Sequence, residues 1–240
     1  VDRLDYLRRD SFYTGVSEGV IGSDRIIKMM NVVDDELVID EKGIYSIEKF
    51  LIARNLMYWQ VYLHKTVLGA EMLLVKILER AVSLHKKGAF LSNHKSLLFL
   101  LNQLNISEIN EPNVLEKFSA IDDYDILMAC KDWTTHPDPI LSKLCTMLVY
   151  RQLFKVELRN GPLDKAYLNE VKSWAKNYSE DELDSFILFG EVSNTTYQNS
   201  KASIKINFKN GELVDFTNAS KQYDLNVLTK EVQKHYICYP

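Results

Sequence analysis

Apolar residues recur at three- and four-residue steps through the first two thirds of the chain, and this spacing predicts helices. The longest such pattern runs from Ser46 to about His85 without a proline. It predicts one long helix, bent near Gly69. Shorter helices are predicted over residues 2–13, 23–30, 97–104, 113–120, 122–134 and 139–156.

Turn residues interrupt this helical pattern near the N-terminus. Three glycines within residues 14–22 predict a loop, because glycine readily adopts positive φ. The apolar segments Val32–Ile39 and Ile44–Ser46 flank the turn-like tetrapeptide Asp40–Gly43. This arrangement predicts a short β-hairpin with its turn at that tetrapeptide.

The pattern changes after about residue 156. One more amphipathic helix is predicted over residues 163–178, and strands are predicted over residues 185–192, 203–208, 212–216 and 232–239. Asn210-Gly211 is a hairpin signal between two of these strands. The predicted fold class is therefore mainly α, with a helical body over residues 1–156 and a small α+β subdomain over residues 157–240.

The amino-acid composition disfavours some classes of binding partner. The net charge is −4 and no lysine- or arginine-rich run occurs, which disfavours a non-specific nucleic-acid binder. The longest apolar runs are far shorter than the roughly 20 residues that span a bilayer, so no membrane partner is expected. Three scattered cysteines lack the spacing of a disulfide framework or a zinc site, which favours a reducing cytoplasm.

The first helix carries a candidate binding face. Asp2, Tyr6 and Asp10 lie at positions i, i+4 and i+8, so their side chains share one side of the helix, with Arg3 beside them. Two carboxylates and a phenol in line can bind a hard cation at one end and sugar hydroxyls further along. A solvated helix face with intrahelical ion pairs remains the alternative, since charged faces are common.

A second candidate face lies within the predicted long helix. Arg54, Tyr58, Tyr62 and Lys65 follow at steps of four, four and three residues. Guanidinium and ammonium groups suit phosphate oxygens, and tyrosine rings can stack on a ligand. The adjacent His64 is either a donor to a substrate or a structural histidine. The stripe itself is equally compatible with a helix that lays its basic ends over a neighbouring surface.

Other motifs of phosphate chemistry are absent from the sequence. Neither a glycine-rich dinucleotide loop nor a Walker motif occurs, and no His-Asp dipeptide or His-x-x-x-His pair is present. The residues by themselves therefore predict a pocket for a phosphorylated ligand, without indicating a reaction.

Two segments resemble one family. Residues 1–16, VDRLDYLRRDSFYTGV, closely resemble the Asp-x-Asp-Arg-Leu/Met-Asp-Tyr-Leu-x-Arg-Asp segment of HD-domain phosphohydrolases, in the bacterial deoxynucleoside triphosphate (dNTP) triphosphohydrolase, dGTPase-like subgroup. Residues 53–65, ARNLMYWQVYLHK, look like the second pocket helix of that family, and residues 236–240 look like the end of its bacterial members. The resemblance extends over essentially the whole chain and implies an HD-type helical body.

The resemblance implies roles for these residues. In the family, a metal is held by an early histidine, a His-Asp pair and a later aspartate, which Asp2 matches. Three residues match the family's phosphate contacts: Arg3, Arg54 and Lys65. Three others match family positions that hold the sugar and the base: Tyr6, Asp10 and Tyr62. The implied reaction is metal-assisted attack of water on the α-phosphate of a dNTP, which releases a deoxynucleoside and tripolyphosphate.

Some positions depart from the family pattern. Leu63 stands where a vertebrate relative has a glutamine that contacts the sugar, and Tyr58 replaces a histidine of that relative. The early histidine, the His-Asp pair and the family's catalytic histidine and glutamate have no counterpart here, and would precede Val1. The chain is thus expected to be the C-terminal portion of a longer protein and to contain no catalytic residue.

The expected cofactor is a divalent ion such as Mg²⁺, Mn²⁺ or another transition metal. One aspartate cannot hold such an ion alone, so turnover is expected to require the upstream segment. The resemblance also implies a homo-oligomer. The alternative function is a nucleotide-sensing or nucleic-acid-binding regulatory or oligomerisation module that keeps the pocket without turnover.

Overall fold

The computed structural model describes residues 2–91, 95–102, 111–174, 178–197, 203–220 and 230–240. The structure is 58% helical with two small sheets, so the predicted class, mainly α with a small α+β part, is confirmed. Two compact units are present. The first contains residues 1–64, 159–162 and 191–235, and the second contains residues 65–158, 163–190 and 236–240. The domain division near residue 156 stays a prediction.

The helices of the described residues are α1 (Asp2–Thr14), α2 (Ser23–Lys28), α3 (Ile44–Met57), α4 (Lys65–Lys86), α5 (Lys95–Asn102), α6 (Pro112–Ser119), α7 (Asp123–Trp133), α8 (Pro139–Val149), α9 (Lys165–Trp174), α10 (Glu180–Phe186) and α11 (Phe216–Ala219). The strands are β1 (Met30–Val33), β2 (Glu36–Asp40), β3 (Lys155–Arg159), β4 (Leu188–Asn194), β5 (Lys205–Asn207), β6 (Leu213–Asp215) and β7 (Val232–Tyr239). The ends of two predicted helices, residues 103–104 and 175–177, lie outside the described residues.

The core of the first unit forms where α1 meets α3. Leu4 and Leu7 of α1 are buried together with Leu51 and Met57 of α3, as helical spacing requires of one face. Gly19 lies against this core, since a Cβ atom there would be only 2.6 Å from the Met57 sulfur. A larger side chain at this position would therefore force the helices to shift.

One sheet of the first unit has the strand order β1-β2-β5-β6. Strands β1 and β2 are antiparallel, and β2 pairs in parallel with β5 through Ile39 and Ile206. A β-hairpin is present, but the predicted pairing of Val32–Ile39 with Ile44–Ser46 across Asp40–Gly43 is wrong, because helix α3 begins at Ile44. The turn is Asp34-Asp35, with positive φ angles of 51° and 59°, which aspartate tolerates better than most residues.

The predicted single helix from Ser46 to His85 is also wrong. Helix α3 continues into a π-helical turn at Tyr58–Tyr62, and the N–H of Leu63 donates to the carbonyl of Tyr58 at 2.7 Å. Helix α4 then begins at Lys65. Gly69, where a bend was predicted, lies inside α4, and a Cβ atom there would be 3.1 Å from a Val156 methyl group.

In the second unit, α4 packs on α8, which packs on α7. Helix α8 was predicted to reach residue 156 but ends at Val149. The N–H groups of Arg151 and Gln152 donate to the carbonyls of Leu148 and Met147, and Arg151 has a φ of 58°. This is a Schellman ending, which the sequence conceals because arginine replaces the usual glycine.

The second sheet has the order β3-β7-β4. Strand β3 was not predicted, and neither was helix α10, which occupies the start of a predicted strand. Ser179 and Glu182 form a capping box at the start of α10, a signal that is visible in the sequence as Ser-x-x-Glu. Across the part of the chain that the structure describes, no helix is long and apolar enough to cross a membrane.

Candidate functional site

Helix α1 presents one buried and one accessible face in the first unit. Leu4 and Leu7 anchor it in the core, which leaves Tyr6 and Asp10 half-buried on another side. Asp2 is exposed in the first turn of the helix, as is Arg3. The spacing predicted from the sequence therefore places two of the candidate side chains at the edge of the core.

A hydrogen bond joins α1 to the π-helical turn. The hydroxyl of Tyr62 donates to Oδ2 of Asp10 at 2.8 Å, and the ring of Tyr6 meets that of Tyr62 edge-on with centroids 6.0 Å apart. Burial raises the pKa of the Tyr62 phenol, and the hydrogen bond and charge of Asp10 raise it further. The phenol therefore stays protonated near neutral pH and can serve as a fixed donor.

Arg54 lies at the buried end of the same group. It is 8% exposed, its guanidinium carbon is 4.7 Å from the centroid of the Tyr58 ring, and Nη1 donates to the carbonyl of Thr196 at 2.7 Å. The rings of Tyr58 and Tyr62 are 5.2 Å apart. Among the described residues, Nε of Arg54 is a buried donor without a partner. A buried unpaired N–H is costly, so an acceptor at this position would stabilise it.

A second hydrogen-bond network fixes the segment that accepts from Arg54. Oδ1 of Asn55 accepts from Nδ2 of Asn194 and from the hydroxyl of Thr196, both at 2.9 Å. Sequence reasoning missed these three residues. Asn55 adjoins Arg54, which is a weak signal, but its partners lie about 140 positions further along the chain, and no local pattern links them.

The structure thus brings five of the nine candidates into one continuous group within the first unit: Tyr6, Asp10, Arg54, Tyr58 and Tyr62. Asp2 and Arg3 belong to the same unit, about one turn before Tyr6. His64 is exposed at the end of this unit, whereas Lys65 is the first residue of α4 in the second unit.

A cavity of about 870 Å³ in the first unit does not coincide with this group. Asp5, Arg9 and Phe12 of α1 line it together with the loop before α2, and none of the five grouped residues does. Cavity size alone would therefore point to a different part of the unit than the clustered polar side chains do.

A complete metal site is not formed by these residues. No group of three or more histidine, cysteine, aspartate or glutamate side chains in the described ranges is arranged to hold an ion. Asp2 can supply one carboxylate, and a hard cation needs several oxygen ligands. The described residues therefore do not by themselves fit a divalent ion.

The chain is similar to several known proteins. Residues 21–94 match the HD associated region family. A phosphohydrolase from Bacteroides thetaiotaomicron has a solved structure that superposes with a TM-score of 0.88 at 45% identity, over 100% of this chain and 60% of that one. A hypothetical protein from Aquifex aeolicus, at 24% identity and a TM-score of 0.60, shares the fold over 99% of this chain and 53% of its own.

Curated relatives give a consistent result. The chain is 32% identical over its whole length to the uncharacterized protein YwfO of Bacillus subtilis, and spans 55% of that protein. The deoxynucleoside triphosphate triphosphohydrolase SAMHD1 homolog of Dictyostelium discoideum is 31% identical to this chain. That match covers 50% of this chain and 24% of the homolog. Together the matches show that the chain is similar to proteins of the HD-type phosphohydrolase class. The chain covers less than two thirds of these relatives.

Proposed function

We propose that this chain supplies the nucleotide-binding half of an HD-type hydrolase that converts dNTPs to deoxynucleosides and tripolyphosphate. The observation that carries the proposal is the Tyr62–Asp10 hydrogen bond, which draws two sequence-remote candidate residues into one site. The similarity to the Bacteroides phosphohydrolase supports the reaction class, and the similarity to the Dictyostelium triphosphohydrolase homolog supports the substrate class.

Each grouped residue has a role in this proposal. Asp10 accepts a hydrogen bond from the 3′-hydroxyl of the sugar, and Tyr62 holds the Asp10 carboxylate in position. The rings of Tyr6 and Tyr58 border the sugar and the base. Arg54 donates to phosphate oxygens, and its Nε, which has no partner among the described residues, is one donor for this purpose.

Three further residues complete the proposed half-site. Arg3 adds positive charge for the phosphates, and His64 contributes a donor. Asp2 supplies one metal ligand, and an upstream segment of a longer protein supplies the other ligands and the catalytic groups. When bound, the divalent ion would polarise the phosphate and activate water.

The test uses the full-length protein with a panel of dNTPs and Mg²⁺ or Mn²⁺, with tripolyphosphate and deoxynucleoside as the measured products. Asp2→Ala is expected to abolish turnover. Asp5→Ala is the matched control, because Asp5 is an exposed carboxylate of the same helix that pairs with Arg9 at 2.7 Å. Absence of tripolyphosphate with every dNTP, or equal activity of the two variants, would count against the proposal.

A second candidate is a nucleotide-sensing or nucleic-acid-binding regulatory or oligomerisation module without turnover. It is favoured by the fact that the tyrosine, carboxylate and guanidinium group lies entirely within one unit. Calorimetry on the full-length protein separates the candidates, because tight binding of a dNTP or of a single strand without product release supports the sensing module. Light scattering tests the expected homo-oligomer.

A further inference from the structure

The second unit carries a groove of about 760 Å³ between α4 and α10, separate from the residues discussed above. Met72, Val75 and Glu79 of α4 line one wall, at helical positions i, i+3 and i+7. Leu183 of α10 and Ile187, the residue after its last turn, line the other wall. The groove therefore runs between one face of α4 and helix α10, and both apolar and charged side chains line it.

The floor of the groove is apolar. Phe189 of β4 is 39% exposed and Val75 is 40% exposed, so both can receive apolar groups. Tyr236 is buried beneath them and donates to the sulfur of Met72 at 2.9 Å. A Cβ atom at residue 190 would overlap the Tyr236 hydroxyl at 2.4 Å, so glycine is required there to let strand β4 approach this ring.

An ion-pair network holds the walls together. Arg80 of α4 pairs with Asp138 at 2.6 Å and lies 3.6 Å from Asp181 in the first turn of α10. The Arg80–Asp138 pair is shielded, with side chains 17% and 13% exposed, whereas Asp181, the carboxylate on α10, is 73% exposed, so the link between the two walls is a surface ion pair.

The rim of the groove is acidic. Three carboxylates line it, from Glu79, Glu180 and Asp184, against the single ammonium group of Lys76, which leaves a net charge of −2. Lys76 already pairs with Glu79 at 2.8 Å. Glu180 and Asp184 are four residues apart on α10 and exposed, so both face the groove with their negative charge available to a ligand.

We propose that this groove binds a basic amphipathic helix of a partner protein. Apolar side chains of that helix, at positions i, i+3 or i+4 and i+7, would occupy the space over Val75 and Phe189. Lysine or arginine side chains on its flank would pair with Glu180 and Asp184. The charge of the rim decides between partners, since an acidic or neutral helix with the same apolar stripe would leave both carboxylates unpaired.

The test measures fluorescence anisotropy of a labelled leucine–lysine helical peptide of about two heptads, titrated with the full chain. A matched leucine–glutamate peptide with the same apolar stripe is the control ligand. We expect the basic peptide to bind and the acidic peptide not to bind. The double variant Glu180→Gln/Asp184→Asn should weaken it about tenfold, which corresponds to about 1.4 kcal/mol, and Phe189→Ala should weaken it similarly by removing the apolar anchor.

A charge-matched variant excludes non-specific attraction. Glu116→Gln/Asp123→Asn removes two exposed carboxylates from α6 and α7 of the same unit and should leave the affinity within about twofold of the parent. The proposal is overturned if this control weakens binding as much as the groove variant, if the acidic peptide binds equally, or if neither peptide binds. Concentration-dependent self-association that the groove variant abolishes would also overturn it, because the occupant would then be a second copy.

Discussion

At the scale of single residues, the Tyr62–Asp10 pair has the clearest consequence for the proposed site. A carboxylate at the edge of a core can rotate away from a substrate unless another group fixes it, and the Tyr62 phenol does so from a distance of 2.8 Å. The raised pKa of this phenol means that it remains a donor throughout the neutral range.

Tyr62→Phe keeps the ring and removes this donor. In the full-length protein we expect the KM for dNTP to rise about tenfold, because a hydrogen bond to a charged group contributes about 1.5–3 kcal/mol and part of it is replaced by water. Steady-state kinetics measures this. Tyr58→Phe is the matched control on the same turn, and a similar rise in KM there would contradict a specific role for Tyr62.

Arg54→Lys changes a buried group whose flat guanidinium lies over Tyr58 and donates to Thr196. Lysine cannot reproduce both contacts, so the free energy of unfolding should fall by about 1–3 kcal/mol. Urea denaturation measures this change. The same substitution at the exposed Arg8 should change the free energy by less than about 0.5 kcal/mol, and equal losses would show that Arg54 has no special packing role.

At the scale of elements, Asp138 connects two helices. It caps α8 by accepting from the N–H of Leu141 at 2.8 Å and pairs with Arg80 of α4. Burial opposes its charged form, but the hydrogen bonds from Arg80 and Leu141 and the charge of Arg80 outweigh burial. The pKa of Asp138 therefore lies below its usual value.

This lowered pKa sets the sign of a pH dependence. The stabilisation is fully present above the unfolded pKa of about 3.9 and is lost as the pH falls below it through the folded pKa. Asp138→Asn should lower the free energy of unfolding by about 1–3 kcal/mol at pH 7, and the gap from the parent should shrink near pH 3. Urea midpoints at both pH values measure this. Asp132→Asn, on the surface of α7, should show no such gap.

At the end of α8, a substitution is expected to stabilise the protein. Arg151 occupies the left-handed region at a φ of 58°, where a side chain is strained and glycine is not. Arg151→Gly should therefore raise the free energy of unfolding by roughly 0.5–1 kcal/mol. Thermal unfolding measures it, with Arg159→Gly in strand β3 as a destabilising comparison. A lower melting temperature for Arg151→Gly would mean that the arginine side chain contributes more than its backbone strain costs.

At the scale of the whole molecule, the proposed reaction separates binding from turnover. The cations proposed to bind phosphate and the carboxylate proposed to bind the sugar do not need a metal, whereas the proposed attack on the α-phosphate does. Chelation of divalent ions in the full-length protein should therefore abolish product formation and leave measurable dNTP binding. The metal-dependent reaction would be contradicted if the chelated protein still formed product and elemental analysis found no metal in it.

Local patterns were sufficient where an element's own residues determine it. Helix α1 was predicted at residues 2–13 and runs from Asp2 to Thr14, because its apolar positions alternate with charges at helical spacing. Strand β7 has its predicted bounds, Val232–Tyr239. The stripes on α1 and on the segment from Arg54 to Tyr62 were also recognisable, since one helix face is a local property.

What the sequence by itself determined is thus the class, mainly α, and the two sets of polar side chains that could bind a phosphorylated sugar. Only the tertiary structure decided that Tyr62 reaches Asp10, that Thr196 accepts from Arg54, and that the predicted long helix breaks before Lys65. The reason is physical. Contacts between residues separated by about 50 or 140 positions depend on how whole elements pack. Residues 58–64 contain no glycine or proline, so the sequence there does not predict the end of a helix.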